Sequence, residues 1–165
     1  MLMALRAEHR HIATVMALLS QQLNAIERGE LVATHVLYEI MDYMVTWADR
    51  FHHPREDRIY DHVAEVDRGL AGNLRNLERD HDRMARDGRE MLHVIERWRA
   101  GELCGHEVVD RGRAYVGRCH THMNLEEDEV FPLIDTVLTR RHSRDLAAEA
   151  VLPAASAPVF ACPVQ

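Results

Sequence analysis

Apolar residues recur along this chain at alternating steps of three and four, the period of a helix that buries one face. Four such stripes can be written down. The first reads Leu5, His9, Ile12, Met16, Leu19, Leu23 and Ile26, and stops at Arg28-Gly29, where glycine suits a helix end. The second reads Leu37, Met41, Met44 or Val45, Ala48, His52, Glu56, Ile59, Val63 and Val66. The third reads Leu70, Leu74, Leu77, His81, Met84, Gly88, Met91, Ile95 and Trp98, and ends near Gly101. The fourth reads Val108, Gly112, Tyr115, Cys119, His122, Glu126, Val130, Leu133 and Val137. No Val/Ile/Thr-rich run alternates with period two, so strands are not expected. Each segment spans about 25 to 35 residues, or about 40 to 50 Å as a helix. Short links between long helices favour antiparallel neighbours. The pattern therefore predicts an all-α, up-down-up-down antiparallel four-helix bundle over residues 1–140. Residues 141–165 change character; they read as a short helix near Arg144 to Ala150 and a flexible tail rich in Pro, Ala and Ser.

Six members of these apolar stripes are polar: His9, His52, Glu56, His81, His122 and Glu126. Burying one such group without a partner costs several kcal/mol. A hydrogen-bonded polar core of Glu–His pairs would satisfy one or two of them. Six, with at least one on every stripe, are better satisfied by cations that neutralise the carboxylates and take the imidazole lone pairs. His52-x-x-x-Glu56 and His122-x-x-x-Glu126 each put a histidine and a glutamate on one face, one turn apart. Two such pairs on different helices supply two carboxylates able to bridge two metals, with His9 and His81 arriving from the other two helices. Mixed nitrogen and oxygen donors suit iron, manganese or zinc better than calcium or magnesium. The stripe also chooses among neighbours: His9 over His11, and His122 over His120. His53, next to His52, points at a neighbouring helix or at solvent. His35, His62, His93, His106 and His142 are assigned to the surface or to helix ends. Pro54, between His52 and Glu56, predicts a kink in the second helix. Gly88 and Gly112 predict close helix approach, and Cys119 a small buried packing residue.

Composition adjusts this picture only slightly. Twelve histidines in 165 residues agree with a metal-binding role, histidine being the commonest side-chain ligand. The net charge of −7 argues against nucleic acid as a partner. Every basic residue is arginine, for which there is no physical account. Cys104, Cys119 and Cys162 form no CxxC pair and predict neither a disulfide framework nor a zinc knuckle, so a cytoplasmic location is expected. No signal-peptide pattern or membrane-spanning run is present, so no membrane partner is expected.

The stretches LRAEHRHI (5–12), FHHPRED (51–57), LERDHDRM (77–84) and HMNLEEDEVFP (122–132) together resemble the hemerythrin-like, or HHE cation-binding, domains. The ordered set H…HxxxE…H…HxxxE spans nearly all of residues 5–138. The resemblance implies a non-haem di-iron centre with two Fe ions and an oxo, hydroxo or water bridge. It makes His9, His52, His81 and His122 terminal ligands, and Glu56 and Glu126 bridging carboxylates. One departure stands out. Oxygen-carrying hemerythrins place two histidines one turn apart on the third helix; here Leu77 stands one turn before His81 and cannot ligate. Water, His53, Glu78 or Tyr115 is expected to fill that gap.

A centre of this kind binds or reacts with O2, NO or peroxide. The expected roles are a binding protein, an enzyme removing peroxide or NO or acting as a ferroxidase, or a non-catalytic iron storage or sensing module. Zn or Mn would suit the same donors. A redox partner or a homo-oligomer is compatible with each role.

Overall fold

The computed structural model describes residues 1–140; the predicted short helix and tail over 141–165, and His142 with them, lie outside the described residues. Four helical rods run antiparallel, and no strand occurs among the described residues. The first rod is α1 (Leu2–Glu27). The second runs unbroken from 34 to 66 as α2 (Thr34–Tyr43), a π-helical segment π1 (Met44–His52) and α3 (His53–Val66). The third is α4 (Ala71–Arg99). The fourth runs from 105 to 140 as α5 (Gly105–Leu125), π2 (Glu126–Val130) and α6 (Phe131–Arg140). Each rod packs on its chain neighbours, and α1 closes the ring against α5. No described helix is long and apolar enough to cross a membrane.

The ends of α1 and α4 follow from two glycines. Gly29 (φ 71°) and Gly101 (φ 77°) adopt the left-handed conformation that side chains resist. Each completes the same reversal. Glu30 N–H donates to Ala25 C=O and Gly29 N–H to Ile26 C=O, and Glu102 and Gly101 repeat this on Arg97 and Trp98. These bonds satisfy carbonyls that a helix end otherwise strands. Close approach also depends on glycine. A Cβ on Gly112 would stand 2.6 Å from the Leu23 methyls, and one on Gly88 3.0 Å from Val45 Cγ2.

Pro54, the expected kink position, directly follows a π-helical segment. π1 ends with His53 N–H bonded five residues back to Ala48 C=O, and Pro54 then sits in the first turn of α3, where a missing N–H costs least. The fourth rod repeats the device: Phe131 N–H reaches Glu126 C=O, and Pro132 follows in the first turn of α6. A π turn takes one more residue than an α turn, so the inward face advances by one position. This corrects the fourth stripe. Val130 is half-buried and Leu133 is 40% exposed, while Phe131 and Ile134 are fully buried. In the second rod the stripe residues His52, Glu56, Ile59 and Val63 stay buried, and His53 is buried beside them.

The apolar core comes in two parts. Leu19, Leu23, Met41, Met91, Ile95, Val108 and Tyr115 belong to the larger; Leu5, Ile59, Val63, Leu74, Leu77, Phe131 and Ile134 belong to the smaller. A polar layer separates them, because each rod changes from apolar to His or Glu at the same level: after Leu5, after Ala48, after Leu77 and after Cys119.

Candidate metal centre

Among the described residues, the buried polar and charged side chains are His9, His52, His53, Glu56, His81, His122 and Glu126. These are the six stripe residues and His53. The structure brings the six together. Donor atoms of Glu56, His81, His122 and Glu126 lie within 4.8 Å of one another, and so do those of His9, His52 and Glu56.

The histidines form two pairs, and each glutamate turns one oxygen to each pair. Glu56 Oε1 stands 3.2 Å from His9 Nε2 and 3.3 Å from His52 Nε2, while its Oε2 stands 3.5 Å from His81 Nε2. Glu126 Oε2 stands 3.3 Å from His9 Nε2; its Oε1 stands 3.0 Å from His122 Nε2 and 3.5 Å from His81 Nε2. His81 and His122 meet Nε2 to Nε2 at 2.8 Å. Two donors about 2.1 Å from one cation stand about 3.0 to 3.4 Å apart, so these spacings suit shared ions. Glu56 Oε2 and Glu126 Oε2 lie within ion-pair distance of imidazoles, yet neither makes an aligned hydrogen bond. Two buried carboxylate oxygens left this way are what a bridging cation satisfies.

The outward nitrogens are also held. His9 Nδ1 donates to Glu127 Oε1 at 2.9 Å, His52 Nδ1 to Glu8 Oε2 at 2.9 Å, and His81 Nδ1 to Asp57 Oδ1 at 2.6 Å. A carboxylate on the far nitrogen fixes the tautomer and aims Nε2 inward. Arg6 donates to Glu127, and Arg55 to Glu8. His122 Nδ1 is buried with no such partner. Aromatic rings close the layer: Phe131 stacks on His9 and Trp47 on His52, with centroids 5.3 and 5.9 Å apart.

Without a cation the cluster balances its charge with protons. Burial alone would lower His9 and His81. The nearby carboxylates of Glu126 and Glu56 overcome this at His9, those of Asp57 and Glu126 overcome it at His81, and both rise to about 10. Burial would raise Glu126, but His122, His81 and His9 hold it well below the usual carboxylate range. His53 is pushed well down by burial and by the neighbouring histidines, so it stays neutral.

The three further residues proposed for the gap at Leu77 fare differently. His53 comes nearest: its ring stacks on His81 at 4.4 Å, and its Nδ1 faces Asp49 Oδ1 at 3.3 Å. Burial raises Asp49 to about 6. Glu78 stands beside Asp57 and Asp61, where burial and those two charges raise it, and it does not join the cluster. Tyr115 is not brought to the cluster either; it bonds Cys119 in the larger core, beside Gly88. The residue that sequence reasoning missed is Tyr60. It is fully buried in the same apolar part as Leu77, and its hydroxyl donates to Glu126 Oε1, the oxygen facing His81 and His122. Its place one turn after Glu56 was the available signal.

The family profile for the hemerythrin HHE cation binding domain matches residues 1–134. No curated protein and no solved structure matches the chain.

Proposed function

The chain belongs to the hemerythrin HHE cation-binding family, and from that premise we propose that it is a non-haem di-iron protein whose centre, held by His9, His52, Glu56, His81, His122 and Glu126, binds or reacts with O2, NO or peroxide. The observation that carries this reading is the division of the two carboxylates, each with one oxygen toward each histidine pair and one lacking an aligned hydrogen bond. Iron held there would supply reversible one-electron chemistry and an open position for a small ligand. The chain's own part is to hold, shield and manage protons. Glu127, Glu8 and Asp57 aim three of the imidazoles. Phe131 and Trp47 keep water from two of the rings. Tyr60 presents an O–H at Glu126 beside Leu77, where the third helix contributes no histidine. With the free thiols of Cys104 and Cys119, a reducing cytoplasm suits this role.

The test is anaerobic loading with Fe(II), metal analysis, then addition of O2, NO and peroxide under an absorption spectrometer. Two irons per chain and a spectrum that responds to one of these ligands are expected. A stable spectrum with O2 assigns carriage, and catalytic loss of peroxide assigns an enzyme. Folded protein that takes up no iron, or only zinc or manganese, overturns the proposal.

A further inference from the structure

The structure supports the two halves of the cluster unequally. Around His9 and His52, both outward nitrogens are held by carboxylates, and each carboxylate is gripped by an arginine. These contacts also tie rods together. Glu8 of α1 holds His52 and Arg55 on the second rod, and Glu127 of the fourth rod holds His9 and Arg6 on α1. Around His81 and His122 the support is thinner. Asp57 holds His81, but its side chain is 35% exposed, whereas those of Glu8 and Glu127 are 20% and 26% exposed. His122 has no partner on its outward nitrogen. Tyr60 already places a hydroxyl on Glu126 Oε1.

We propose that the His9/His52 half binds its cation first and tightly, and that the His81/His122 half fills second and exchanges its ion. This rests on the two-cation reading above. The physical reason is preorganisation. An imidazole already aimed by a fixed carboxylate loses less freedom on ligation and is the more basic donor. A cation entering the second half meets the same number of protein donors but must fix His122 itself and share Glu126 Oε1 with the Tyr60 hydroxyl.

The experiment is an anaerobic titration of the cation-free full chain with Co(II), followed by absorption and by calorimetry. Two separate steps of one ion each are expected. Glu8→Gln or Glu127→Gln should weaken the first step by about 10- to 100-fold and leave the second nearly unchanged. Asp57→Asn should weaken the second by a similar factor and leave the first. All three positions are partly exposed, and a thermal melt of each cation-free variant checks that it folds. Two ions bound in one step of equal affinity would overturn the inference while leaving the two-cation centre intact. So would Asp57→Asn weakening the first step. Folded protein that binds no Co(II) would overturn the centre itself, and the inference with it.

Discussion

Protons and cations compete for the same two histidines, and pH is the perturbation that exposes this. His9 and His81 are raised to about 10 by the carboxylates around them. Each half of the cluster contains one of them. A metal ligand must present a free lone pair, so loading each half expels one of these protons. At pH 7 each histidine lies about three units below its pKa, which is about a thousandfold, or about 4 kcal/mol, against loading per site. Below pH 10 the apparent affinity of each step should rise about tenfold per pH unit, and that for both together about a hundredfold, or about 3 kcal/mol. Calorimetric titration with Co(II) between about pH 7 and pH 8.5, in buffers of different ionisation heat, measures both the affinity and the protons released. About one proton per step from these residues is expected. Affinity that does not change with pH would refute the reasoning, because the imidazoles would then already be neutral before the cation arrives.

The same shifts set the acid and alkaline limits of the cation-free protein. His9 and His81 have folded pKa values above the unfolded 6.5, so their stabilisation is complete below that value and is lost as pH rises toward about 10; Glu126 is lowered, so its share is present above about 4.5 and lost in acid. Thermal melts across pH should therefore fall on both sides, and a stability still rising through pH 10 would contradict the charge-balanced cluster. Gly112→Ala should cost about 1–3 kcal/mol in denaturant melts, since its Cβ would stand 2.6 Å from Leu23. Tyr60→Phe removes a hydrogen bond to an ionised carboxylate and should cost about 1.5–3 kcal/mol without loss of helix by circular dichroism. His11→Ala should keep its metal content, because that ring packs edge-on against Tyr43 and Trp47 outside the cluster. His122→Ala should lose metal, and equal loss in both variants would show that the inward face of the helices has been misassigned.

Much of this was open to reading along the chain. The helical period separates His9 from His11 and His122 from His120, because residues two apart on a helix face different directions. It places the six polar stripe residues on the inward faces of their helices between apolar neighbours, and the fold buries all six. Gly29 and Gly101 mark two helix ends by the conformation that only glycine takes without strain. Periodicity stops being a guide where the period itself changes. The π turn before Pro132 advances the inward face by one residue, so Phe131 and Ile134 enter the core in place of Val130 and Leu133; in the second rod His53 is buried beside the stripe, which the period alone left open. Nor does a period say what stands opposite. Glu8, Asp57 and Glu127 each adjoin a stripe residue in sequence, yet they hold His52, His81 and His9 on other helices. Tyr60 meets Glu126 across the bundle in the same way. A sequence determines which face each helix buries, because that depends on the helix alone. Which side chains meet across the bundle depends on the register between rods, and only the tertiary packing decides that.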